Sequence, residues 1–203
     1  MSRSALRLVM LALVLAASGC ATTRVVHQWS NPDSSSAPHF KKFLVIGISK
    51  QPGIRRSFED EFVAKLKATG VDAVPSYRFI TEDGPVEEPR LREAVGQAGA
   101  DASLVTRFVR VEQKYQVSPG YYPAGLGFGF YRGYTNAWFG YYEPPVYSYD
   151  VYISETSLYD TAKNELIWSG TVETVPEGIN KDIARYVETV IGALQKKHLL
   201  ASR

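Results

Sequence analysis

Few side chains in this sequence are placed to do chemistry. Cys20 is the single cysteine in 203 residues, so its thiol has no partner within the chain for a disulfide. His27, His39 and His198 stand far apart, and none falls in a spacing that holds a metal. Ser49 and Ser76 end apolar runs, but neither is framed as a nucleophile elbow. Glu59-Asp60-Glu61 and Glu87-Glu88 read as helix starts or solvated faces rather than as a catalytic pair. Arg55 and Arg56 are better placed. They follow the strongest apolar strand, and open α/β sheets bind ligands beyond the carboxyl ends of their strands. Either guanidinium is a candidate anion contact, and an enzyme with a site there is one reading. The plainer reading is an Arg–Glu pair that sets the loop. With no catalytic residue, metal ligand or cofactor motif assembled, the chain reads as not an enzyme.

A second candidate site is an aromatic and glycine-rich stretch at 119–148. Its Tyr121, Tyr122, Phe130, Tyr131, Tyr134, Trp138, Tyr141 and Tyr142 are candidate partner contacts, interleaved with glycines and almost no charge. Such rings offer flat contact area with a polar tip. They suit sugar faces, protein interfaces and the bilayer surface. The alternative is a low-complexity insertion joining two strands. Gly125-Leu126-Gly127-Phe128-Gly129 lacks the GxGxxG spacing of a nucleotide loop and has no helix after it.

The start of the chain gives an address. Arg3 and Arg7 precede an unbroken apolar run at 8–17, then Ser18, Gly19 and Cys20. A basic leader, a short apolar core and a small-residue exit make a secretory signal peptide at 1–19. The run is shorter than the roughly 20 residues that span a bilayer. Ala17-Ser18-Gly19-Cys20 resembles the signal of bacterial lipoproteins, departing from it at Ala17, where that family favours leucine. The resemblance implies cleavage between Gly19 and Cys20 and acylation of Cys20. It also implies an outer-membrane address facing the periplasm in a Gram-negative cell, because Ala21 rather than Asp follows the cysteine. Two or three acyl chains anchor stably where one holds marginally. The same leader also fits a secreted chain with an incidental cysteine, or an uncleaved anchor.

Losing the leader removes Arg3 and Arg7 and leaves 21 basic against 21 acidic residues. That balance gives no footprint for nucleic acid. About 180 residues suit one domain with a real core. Residues 20–40 read as a lipidated tether holding one short strand, and 41–200 as the domain. Residues 43–49 form a strand apolar on both faces, so it is expected inside a sheet covered on both sides. Ile54, Phe58, Phe62, Val63 and Leu66 share one helical face before Gly70. Residues 71–77 form a shorter strand, and Leu91, Ala94, Val95 and Ala98 line a second helix. Strands follow at 102–115, 149–158 and 166–174. The closing helix is expected to be capped by Asn180 and carries a stripe of Ile183, Val187, Val190, Ile191 and Leu194. The predicted fold class is α/β (α+β), a single mixed sheet packed with helices and a long aromatic insertion between antiparallel strands.

The segments 43–49, 56–60, 70–77, 158–160 and 166–169 together resemble a group of small bacterial lipoproteins. They are also similar to the N-terminal α/β domain of TolB-type envelope proteins. The resemblance implies a lipid-anchored interaction or assembly domain and supplies no catalytic residue. Membrane lipid through Cys20, and an envelope protein or cell-wall polymer, are the expected partners. A polysaccharide-binding lipoprotein using the Tyr/Trp stretch is the alternative.

Overall fold

A computed structural model of the chain describes residues 22–32, 40–117, 130–131, 133–134 and 146–200. In order come β1 (Thr23–Ser30), β2 (Lys42–Ile48), α1 (Pro52–Ala68), β3 (Asp72–Pro75) and a 3-10 turn (Ser76–Arg78). Then follow α2 (Glu88–Ala98), β4 (Ala102–Val117), β5 (Val146–Asp160), β6 (Glu165–Thr174) and α3 (Ile179–Lys196). The strands form one six-stranded sheet in the order β1-β6-β5-β4-β2-β3. β2 pairs in parallel with β3 and β4, and the remaining pairs are antiparallel. The fold is α+β, a mixed sheet with helices packed against it, as the sequence pattern predicts.

β2 is buried on both faces because helices lie on both. Phe43 and Val45 face α1 and α3, in a core with Phe62, Leu66, Leu104, Leu158, Trp168, Val187, Val190 and Leu194. Leu44 and Ile46 face α2 through Ala98, Ala100, Leu91 and Val95. α1 and α3 touch through Phe58 and Tyr186, whose ring centroids are 5.8 Å apart. Pro52 opens α1, where a missing N–H costs nothing. Gly99, left-handed at φ 59°, closes α2. α3 differs from expectation at its start. Gly178, not Asn180, is the capping residue, and the Asp182 carboxylate accepts the N–H groups of Glu177 and Gly178, both at 3.1 Å. The acidic run at 59–61 lies beyond the first turn of α1, which holds no acid, so it does not serve the helix dipole as expected.

β1 lies within the stretch expected to be a tether, yet it is an edge of the sheet, paired with β6 from Thr23↔Thr174 to Ser30↔Trp168. Only Val25 packs against the core, while Arg24, Val26, His27, Gln28 and Trp29 are not buried. The short strand expected within the tether is there, but as part of the sheet rather than of a free tether. Val26 is an extra residue in the ladder, between Val25↔Val172 and His27↔Thr171.

β4 and β5 outrun their neighbours. β2 leaves β4 at Arg107, and β6 leaves β5 at Tyr152. Beyond these points residues 112–117 and 146–151 pair, among the described residues, only with one another, ending at Val117↔Val146. This two-stranded ribbon begins near a bulge at Val109, where Phe108↔Ser154 is followed by Arg110↔Ile153. The bulge sets the ribbon's chemistry, because one extra residue moves every later side chain to the opposite face. Without it Arg110, Glu112, Lys114 and Gln116 would follow Thr106 and Phe108. With it Val111, Gln113, Tyr115 and Val117 do.

Trp168 is the largest fully buried side chain, and its indole lies across Gly170. A Cβ on Gly170 would stand 2.3 Å from Trp168 Cη2. Gly170→Ala is therefore expected to lower the urea unfolding free energy by about 1–3 kcal/mol through overpacking. Unchanged stability would show that the indole has room to move.

Candidate functional site

At the carboxyl end of β2 the Arg55 guanidinium is 93% removed from solvent and wholly engaged by protein. Nε donates to Glu59 Oε1 at 3.1 Å, Nη1 to the Glu82 carbonyl at 2.8 Å, and Nη2 to Ser76 Oγ at 3.0 Å and the Ile80 carbonyl at 3.1 Å. Glu59, with no exposure, accepts also from Gly47 N–H at 3.0 Å, Ser76 Oγ at 2.7 Å and Tyr77 N–H at 3.0 Å. The charges meet because four residues separate them on one helical face. Together they tie β2, α1, the 3-10 turn and the 80–82 strand of loop into one unit. Arg56 lies outside this network. It is exposed, and its guanidinium carbon sits 5.9 Å from the centre of the Tyr77 ring.

A second polar group is buried under α3. Thr106 Oγ1 and Thr156 Oγ1 are 2.7 Å apart, and Thr156 Oγ1 and Tyr186 OH are 2.8 Å apart. Burial pushes the Tyr186 phenol up, so it stays protonated and serves as a hydrogen-bonding strut.

The ribbon carries an exposed surface of mixed character. Gln113, Ser148 and Asp150 lie on the face that α1 and α3 cover further along the sheet, and among them stand the apolar Phe108, Val111, Tyr115, Val117, Val146 and Tyr152. Their exposures run from 40% at Tyr152 to 69% at Tyr115. Phe108 and Tyr152 meet edge to face at 5.9 Å. From Tyr115 to Val117 and from Val146 to Tyr149 there is no charge. On the other face Glu173 holds the ribbon's base. It takes the Lys114 ammonium from β4 and the Arg24 guanidinium from β1, the latter at 3.0 Å, and Lys114 first, then Arg24, keep its carboxyl below the usual range.

The entry of the chain is fixed close to the ribbon's base. The Thr22 carbonyl accepts the Val175 N–H at 2.7 Å, and Thr22 Oγ1 accepts from Arg185 Nη1. Arg185 also holds Glu177 at 2.6 Å. Arg185 first, and then Lys181, bring the Glu177 carboxyl down to about 2, so this clamp stays charged well below neutral pH.

Of the residues singled out from sequence, Gly19, Cys20, Tyr121, Tyr122, Trp138, Tyr141 and Tyr142 lie outside the described residues, as does His39. Phe130, Tyr131 and Tyr134 are exposed at 81%, 85% and 60%. Phe130 and Tyr131 meet edge to face at 5.4 Å. His27 and His198 are exposed on different elements. No group of three potential metal ligands occurs among the described residues. None of the described helices is long and apolar enough to cross a membrane. Sequence reasoning missed the ribbon stripe and the Thr22 clamp. The stripe had a signal in the VxQxYxV pattern at 111–117, but its phase relative to Phe108 depends on the bulge.

No family model and no curated protein matches the chain. Solved structures do. The chain is similar to the PelC dodecamer from Paraburkholderia phytofirmans, at 17% identity over 85% of this chain and 97% of that one, with a TM-score of 0.47. It is also similar to Lipoprotein GNA1162 from Neisseria meningitidis, at 13% identity over 77% and 96%, with a TM-score of 0.38. A PDZ domain protein from Parabacteroides distasonis aligns at 8% identity over 91% of this chain and 39% of that one, with a TM-score of 0.42.

Removing Arg55 strands a buried carboxylate. Arg55→Ala is expected to cost about 3–5 kcal/mol in denaturant unfolding. Pairing Arg55→Met with Glu59→Leu should not restore stability, because Gly47 and Tyr77 N–H groups lose their acceptor. Recovery to the parent value in the double variant would reduce the network to a simple ion pair.

Proposed function

We propose that this chain is a lipid-anchored, non-enzymatic protein of the bacterial cell envelope, held at the outer membrane through Cys20 and acting as an interaction domain. One observation carries the reading. The sheet is covered by α1 and α3 on one face, but on the other only α2 packs, beneath β3, β2 and the near side of β4. Among the described residues no helix packs over β5, β6 and β1 on that side, though Val151 and Ile153, which point there, are buried at 2% and 3%. There Trp29, His27 and Arg107 are exposed beside half-buried Ser157, Ser169 and Thr171. A sheet face free of helices with an exposed tryptophan near its edge and Arg107 beside it suits a protein partner. The occupied state of Arg55 supports a structural rather than catalytic role for the loop after β2.

Two measurements test this together. The intact mass of the mature protein should show added acyl chains, and Cys20→Ser should move it from the membrane fraction to the soluble fraction. A photo-cross-linking residue at Trp29 should yield a discrete adduct in intact envelopes, whereas one at Lys65 on the helical side should not. An acylated protein with equal or no adducts at both positions would reject the sheet face as the docking surface.

The alternative reading, binding of a cell-wall or surface polysaccharide, is favoured by the exposed, edge-to-face rings of Phe130 and Tyr131. Aromatic faces stack on sugars, so the protein should co-sediment with purified peptidoglycan and lose this in Phe130→Ala/Tyr131→Ala. Unaltered sedimentation of that variant would remove the reading.

A further inference from the structure

We infer that the β4–β5 ribbon is a second membrane contact, which lies in the headgroup zone of the bilayer that holds the anchor. The inference rests on the lipid-anchor reading of Cys20 and adds to it a place and an orientation.

The geometry comes from the register. Thr23 pairs with Thr174, Thr174 with Tyr152, and Tyr152 with Val111, so these four residues form one row across the sheet. β1 and β5 are both antiparallel to β6 and therefore run in the same direction. Residues 146–151, with their partners 112–117, thus project beyond the row on the side from which the chain enters. At about 3.4 Å per residue, six residues reach about 20 Å past it. Cys20 is two residues before Thr22, which the Val175 and Arg185 contacts fix to the domain. Two residues span at most about 7 Å. The headgroup zone is about 5–8 Å deep on each side of the hydrocarbon. An acylated Cys20 at the hydrocarbon boundary therefore leaves no room for the ribbon to stand clear of the membrane unless it lies along the surface.

The side chains fit that place. Tyr115, Val117, Val146 and Tyr147 are exposed at 56–69%, and residues 115–117 and 146–149 carry no charge. Tyrosines with small apolar residues belong at the interface, where the ring is apolar and the hydroxyl is wet. Among the described residues the ribbon's two edges are unpaired, and such backbone groups forbid deep entry into hydrocarbon, so it rests at headgroup depth. Lys114 and Asp150, one step back from the tip, mark the wet boundary.

The test uses the chain's single cysteine. Once Cys20 is in thioether linkage, a thiol introduced elsewhere is the one reactive site. Mature acylated protein carrying Val117→Cys, Val146→Cys or, as control, Lys163→Cys at the far turn is labelled with an environment-sensitive fluorophore. It is then reconstituted into vesicles of phosphatidylethanolamine and phosphatidylglycerol. The labels at 117 and 146 should shift to the blue, lose quenching by aqueous iodide and gain quenching by lipids brominated near the headgroup. The label at 163 should do none of these. Acylated protein whose 117 and 146 labels stay open to iodide overturns the inference while leaving the anchor intact. Labels shielded from iodide but untouched by brominated lipid overturn it in favour of a protein partner or a second copy. Absence of acyl mass overturns the anchor reading and this orientation with it.

Discussion

One hydrogen-bonded row, Thr23 to Thr174 to Tyr152 to Val111, sets the relation between the chain's entry into the sheet and the β4–β5 ribbon. Strand register is not adjustable where one face is buried, because a slip of one residue turns the whole core outward. The packing of Val172, Leu158 and Trp168 under α3 therefore fixes more than the core. It decides that the chain enters level with the base of the ribbon, and that the ribbon points back past that entry. The Glu173 contacts with Lys114 and Arg24 brace the same level on the opposite face. Core packing at the centre and charge at the margin thus enforce a single arrangement.

The Arg55–Glu59 network organises the other end of the sheet. Open α/β sheets often leave a crevice beyond the carboxyl ends of their parallel strands. Here the crevice is filled from within: one guanidinium and one carboxylate gather the Gly47 and Tyr77 N–H groups, the Ser76 hydroxyl and the carbonyls of Ile80 and Glu82. Buried ion pairs add little net stability over an apolar replacement, but their directional bonds fix where a loop goes. The Thr106–Thr156–Tyr186 chain of hydroxyls plays a similar part between the sheet and α3.

Much of this was legible in the sequence, for reasons particular residues make plain. The stripe of Ile183, Val187, Val190, Ile191 and Leu194 has a single phase, and α3 buries that side. Residues 43–46 are apolar throughout, and β2 is covered on both faces. The final hairpin and the parallel unit around α1 followed from turns and periodicity. What was hidden depended on long-range pairing. β1 reads as a short strand inside a tether because an edge strand needs only Val25 to face inward, and its place in the sheet comes from β6, some 140 residues away. Glu59 looks like one of three solvated acids until the fold brings Ser76 and Tyr77 to it. The Val109 bulge has no composition signal, yet it decides whether the ribbon presents rings or charges.

The two margins of the sheet have a shared consequence. β3 is only four residues long and ends in Pro75, while β1 is interrupted at Val26. Both features spoil the regular ladder of donors and acceptors that an outer strand offers to a neighbour. Blunted margins let copies of this chain collide without fusing strand to strand into a continuous sheet.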